Sequence, residues 1–108
     1  FKNWIFCGFY FKKNNQLVVG HYKSLKIPCS PIGLEGICGT AIIKNEILSI
    51  PDVSKFSGHI VCDSDSRSEL CIPFKINSIE YVLDIDSKKL NDFDEIDYKH
   101  LTEIIKNL

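Results

Sequence analysis

Two pairs of strand-length runs, each folded back at an asparagine, constrain this chain more than any other feature. Residues 4 to 11, WIFCGFYF, are aromatic and β-branched, and Lys13-Asn14-Asn15 separates them from a second run, Gln16 to His21. The pattern recurs as Ser68 to Ile76, an Asn77-Ser78 turn, and Ile79 to Ile85. A short run from Ile47 to Ile50 is ended by Pro51. Strands that arrive as hairpins build an antiparallel sheet, and such a sheet needs helices to cover its apolar side. Two stretches can supply them. A helical pattern runs from Gly36 to about Asn45, with Gly36 and Gly39 placed for close backbone approach at its start. Near the end, Asp92 followed by Glu95 resembles a capping box, and Ile96, Leu101, Ile104, Ile105 and Leu108 form a helical stripe. The expectation is one α+β domain over residues 1–108, an antiparallel sheet with helices packed on one face, and two long loops at 22–35 and 57–66.

Composition narrows the function classes. A length of 108 residues suits one domain. The charge is balanced at -1, with 13 basic and 14 acidic side chains, so the basic excess of a nucleic-acid surface is missing. Arg67 is the sole arginine, which leaves one donor for bidentate phosphate recognition. No apolar run approaches the ~18 residues of a membrane span, so no membrane partner is expected. The five cysteines (Cys7, Cys29, Cys38, Cys62 and Cys71) are odd in number and unlike a secreted disulfide framework. No CxxC occurs, and His21, His59 and His100 make no ligand spacing with them, so neither a metal nor another cofactor is expected. Thiols used this way fit a reducing, cytoplasmic compartment. Cys7 and Cys71 fall in strand patterns and read as core residues.

One thiol stands apart. In FSGHIVCDSDSRSE, Cys62 lies between Gly58-His59 and a run of acids and serines, where neighbouring negative charge disfavours a thiolate.

Five motifs taken together give a resemblance: Gly8-Phe9-Tyr10, Gly36 to Ala41 (GICGTA), Asp52 to Asp63 (DVSKFSGHIVCD), Ser68-Glu69 and Leu83 to Ser87 (LDIDS). In order and spacing they resemble the GAF-fold free methionine-(R)-sulfoxide reductases over nearly the whole chain, including the 24 residues from Cys38 to Cys62 and the seven from Cys62 to Glu69. The family's N-terminal helices have no counterpart in this stretch, which reads as a fragment of a longer protein.

The resemblance implies thiol-dependent reduction of free L-methionine-(R)-sulfoxide, and it gives acids beside a thiol a purpose. A sulfur nucleophile attacks the sulfoxide sulfur while the oxygen is protonated. Cys62 would attack and become a sulfenic acid, with Cys38 or Cys29 condensing with it to a disulfide and a thioredoxin-like dithiol resetting the enzyme. Glu69, Asp84 and Asp86 match the family's acidic pocket, where they would bind the substrate ammonium and deliver the proton. Asp84 and Asp86 are two apart on a strand and face one side, so like charge should raise one pKa. Phe6 stands at the spacing of the family's tryptophan, so either Phe6 or Trp4, with Tyr10, would wall the pocket. Cys29 precedes Cys38 by nine residues, one fewer than in the family. The family also implies a homodimer. A non-catalytic GAF sensory module that binds a small ligand is the alternative, and it would need neither the thiols nor the acids.

Overall fold

A computed structural model describes residues 2–58 and 64–108. Five strands, β1 (Trp4–Lys13), β2 (Gln16–Ser24), β3 (Leu48–Ile50), β4 (Ser68–Ile76) and β5 (Ile79–Ser87), form one antiparallel sheet in the order β2-β1-β5-β4-β3. Helix α1 (Ile37–Lys44) lies between β2 and β3 in the chain, and α2 (Glu95–Lys106) follows β5. The two hairpins expected from the asparagines are present. Asn14 takes a φ of 59°, and Asn77 and Ser78 take 51° and 68°, the left-handed pair that a two-residue hairpin turn requires.

Alternation along the strands decides what each face of the sheet carries. On one face, Phe6, Tyr10, Cys71 and Val82 pack with Leu17 and Val53 against Ile37, Cys38, Ala41 and Ile42 of α1. On the other, Leu70, Ile72, Leu83 and Ile85 pack with Phe93 against Tyr98, Leu101 and Ile105 of α2. The expectation of helices on one face therefore needs correction: one helix covers each. The reason lies in the alternate positions of β4 and β5: Leu70, Ile72 and Phe74 with Leu83 and Ile85 point away from the acid-bearing face and form an apolar row that needs a cover of its own. Fully burying a Leu or Ile here is worth roughly 1.5–3 kcal/mol.

Two local details differ from the sequence reading. The cap of α2 is Asp94, whose side chain accepts from the N–H of Asp97 while the Asp97 carboxylate accepts from the N–H of Asp94. Asp92 is engaged elsewhere, accepting from the Ser87 hydroxyl at 2.6 Å. The stripe on α2 is also split. Leu101 and Ile105 face the sheet, whereas Ile96, Ile104 and Leu108 are exposed.

Ser78 is a residue with a Cβ held in the left-handed region, where glycine fits without strain. Ser78→Gly should raise the unfolding free energy by about 0.5 kcal/mol, a rise of roughly 2–4 °C in Tm by calorimetry.

Candidate active site

The acids sit in two rows across the sheet on the α1 face. In the first, Asp86 of β5 pairs with Phe6 of β1 on one side and Glu69 of β4 on the other. In the second, Asp84 pairs with Gly8 and with Cys71. Gly8 leaves no side chain over Asp84, and a Cβ there would meet the Tyr22 Cβ at 2.5 Å. Helix α1 closes the site from above. Gly39 lets the first turn of α1 sit against the loop that leads into it, since a Cβ would lie 2.2 Å from the Leu34 carbonyl oxygen, and the same turn delivers Cys38.

A cavity of about 60 Å³ opens here, with room for a few waters. Phe6, Tyr10, Cys38, Glu69, Asp84 and Asp86 all line it, so six of the residues singled out in the sequence share one space. Trp4 does not line it. A register shift between Trp4 and Phe6 in the pairing with β5 reverses the alternation, and the Trp4 ring packs at 6.0 Å from Phe93 on the α2 face. Phe6, stacked at 6.0 Å on Tyr22, forms the wall instead.

Burial governs the electrostatics. Glu69 and Asp84 are each about 95% removed from solvent, at 6% and 5% exposure. Burial, reinforced by the charge of Asp86, raises the Glu69 carboxyl to about 8, and Glu69 also hydrogen-bonds the carboxyls of Asp84 and Asp86. Burial and then Glu69 push Asp84 well above the usual carboxylate range. Two carboxyls at neighbouring positions repel when both are ionised, so protonated forms are favoured near neutrality.

The thiols divide. Cys38 and Cys71 are buried and free, their sulfurs 2.9 Å apart. Each sulfur stands 3.5 Å from Glu69 Oε2, and Cys71 Sγ is also 3.5 Å from Asp84 Oδ1. Burial pushes both thiols up, so neither is a ready thiolate. Cys29 is disulfide-bonded. Its backbone carbonyl accepts a 3.0 Å hydrogen bond from the Tyr10 hydroxyl, and the adjoining segment is tied to β2 by Ser30 Oγ accepting from Val19 N–H and by a bridge between Leu17 and Ile32. Cys62, with His59 and Asp63, lies outside the described residues.

Cys71, a core residue by its strand pattern, contacts Cys38, Glu69 and Asp84. Its signal was available: it is two residues from Glu69 on one strand, hence on the same face. The cavity's outer rim of Ser24, Lys26, Ile27 and Pro28 carried no such signal.

No family model matches the chain. Relatives are nonetheless clear. GAF domain-containing protein A of Dictyostelium discoideum is 47% identical over 109 residues, covering 98% of this chain and 68% of that protein. Free methionine-R-sulfoxide reductase of Escherichia coli K12 is 40% identical, covering 98% of this chain and 64% of the relative. Among solved structures, fRMsr of Staphylococcus aureus in its reduced form superposes with a TM-score of 0.86 at 38% identity, covering 96% of this chain and 68% of that one. The chain belongs to the free methionine-R-sulfoxide reductase family. It spans about two thirds of the length of these relatives. The GAF fold of the family is the α+β sheet described above.

The raised Glu69 carboxyl has a consequence for stability. A carboxyl held at about 8 in the folded state against 4.5 ordinarily favours folding least once the pH has risen past both values. Its contribution is intact below 4.5 and is lost progressively as the pH climbs to about 8. In chelator-treated protein, Glu69→Gln should therefore flatten the fall in Tm between about pH 5 and about pH 8, leaving the variant relatively more stable at the alkaline end. Identical slopes by differential scanning fluorimetry would contradict the assignment.

Proposed function

We propose that this chain is the catalytic GAF domain of an oxidoreductase that reduces free L-methionine-(R)-sulfoxide to methionine, with Cys62 as nucleophile. The observation that carries the reading is the convergence of three carboxyls on one cavity, in a chain whose family members are reductases of this substrate. Two buried carboxyls with a half-buried third beside them are destabilising unless a ligand uses them, and a free amino acid brings an ammonium group that does.

In the proposed reaction the Cys62 thiol attacks the sulfoxide sulfur. Glu69, protonated up to about pH 8, donates a proton to the sulfoxide oxygen as negative charge develops on it. Methionine and a Cys62 sulfenic acid result, the oxygen having passed to the cysteine. The thiol of a second cysteine then displaces that oxygen as water and forms a disulfide. Cys29 is the resolving residue we favour, because it is oxidised while Cys7, Cys38 and Cys71 are free. Asp84 and Asp86 receive the substrate ammonium, and Phe6 and Tyr10 bound its apolar end. Tyr10 also positions Cys29 through the carbonyl it holds at 3.0 Å. A thioredoxin-like dithiol returns the disulfide to two thiols by exchange.

A reducing, cytoplasmic setting suits an enzyme that must be reset by a dithiol. Among the described residues no helix is long and apolar enough to cross a membrane. A homodimer is supported by the exposed apolar residues Ile96 and Ile104 of α2, continued by Leu108 just beyond its end.

The decisive experiment is turnover of free methionine-(R)-sulfoxide coupled to a thioredoxin system. Cys62→Ser should fall to background, and Glu69→Gln should lose about 100-fold or more in kcat. Cys29→Ser should accumulate a sulfenic acid that dimedone traps. Turnover by Cys62→Ser at the wild-type rate would sink the proposal. As a separate check on positioning, Tyr10→Phe should slow disulfide formation in rapid-quench experiments while leaving the sulfenic acid to form at its usual rate.

A further inference from the structure

The thiols of Cys38 and Cys71 and the carboxylates of Glu69 and Asp84 come from three elements, yet their ligand atoms all lie within 4.8 Å of one another. Three of the edges between them are 3.5 Å: Cys38 Sγ to Glu69 Oε2, Cys71 Sγ to the same oxygen, and Cys71 Sγ to Asp84 Oδ1. A regular tetrahedron with 3.5 Å edges has its centre about 2.1 Å from every corner. That falls in the range of zinc–oxygen and zinc–sulfur bonds, ~2.0–2.3 Å. The two remaining edges, from Asp84 to Cys38 and to Glu69, lie within 4.8 Å, and the sulfurs, at 2.9 Å, would have to part to about 3.7 Å, the separation of two thiolates on one zinc. Side-chain rotation of Cys38, which lines the cavity, supplies that movement.

The donor set is selective. Two thiolates and two carboxylates in a tetrahedron suit a zinc-class divalent cation and poorly suit magnesium or calcium, which take six or more oxygens. The site is also reachable, because Cys38, Glu69 and Asp84 all border the cavity. Lys26, the cation on the cavity rim among the described residues, pairs with Asp65 at 3.7 Å at the surface.

We propose that Cys38, Cys71, Glu69 and Asp84 form a tetrahedral site for a zinc-class divalent cation. Binding displaces the two thiol protons, together with the protons that the Glu69 and Asp84 carboxyls carry near neutrality, and makes no redox change. One corollary rests on the proposed function: Glu69 and Asp84 then serve both metal and substrate, so the two exclude each other and the cation acts as an inhibitor competitive with the sulfoxide.

The test uses Co²⁺ as a spectroscopic probe, added to the reduced, chelator-treated protein. Thiolate-to-cobalt absorption in the near ultraviolet with intense visible bands, saturating at one equivalent, is expected. Cys71→Val keeps the wall apolar and should weaken binding at least 10-fold with loss of near-ultraviolet intensity, while Cys7→Ser should titrate as wild type. If Cys71→Val fails to fold by circular dichroism, Asp84→Asn provides the same reading from the oxygen side. Absence of the absorption, or titrations of Cys71→Val and Asp84→Asn matching wild type, would overturn the site. The spectrum needs no turnover, so a protein inactive on methionine sulfoxide would still decide it. With an active enzyme, Zn²⁺ should raise KM and leave kcat unchanged.

Discussion

Three carboxyls gathered on one side of a sheet, Glu69 and Asp84 buried and Asp86 half-buried, are the constraint to which the rest of this structure answers. Buried acids are expensive, and side by side they repel. The chain contains them by arranging that each has carboxyl or thiol neighbours: Glu69 beside Asp86 across one pair of strands, and Asp84 beside Cys71 on the next row. It also holds Glu69 protonated at ordinary pH, since burial raises its carboxyl to about 8. A neutral acid close to a cavity can give up a proton where an ionised one cannot, so the same burial that weakens the fold suits the proton transfer proposed for Glu69.

The scaffold around this arrangement is regular, which explains why it was legible. Asparagine turns, strand-length apolar runs and a punctuating proline defined all five strands and both helices, because each signal acts over a few residues. The placement of α2 was not legible. A terminal amphipathic stripe says that a helix must pack, and only the apolar row of Leu70, Ile72, Leu83 and Ile85, turned away from the acids, says that it goes to the opposite face from α1. The same kind of shortfall affected Trp4. Counting by twos from Phe6 puts it on the pocket side, and one register shift puts it on the other. Bulges leave little trace in composition, so alternation fails silently across them.

For the site, the acids and Cys38 could be anticipated from motif spacing, and the sheet brings them to one cavity. Cys71 was the instructive omission. A cysteine in an apolar strand reads as packing, and Cys71 is indeed fully buried. Its significance comes from the strand partner, since the antiparallel register sets it opposite Asp84. Cross-strand register depends on the whole hairpin, and no window of local sequence contains it.

The sheet keeps its two sides apart. Leu70, Ile72, Leu83 and Ile85 form with α2 a hydrophobic layer that shares no side chain with the layer under α1. Robustness and reactivity are thereby assigned to opposite sides of one thin wall. An engineer wanting a hardier protein can work on the α2 layer, filling and repacking it, and leave the acid-bearing surface as it stands.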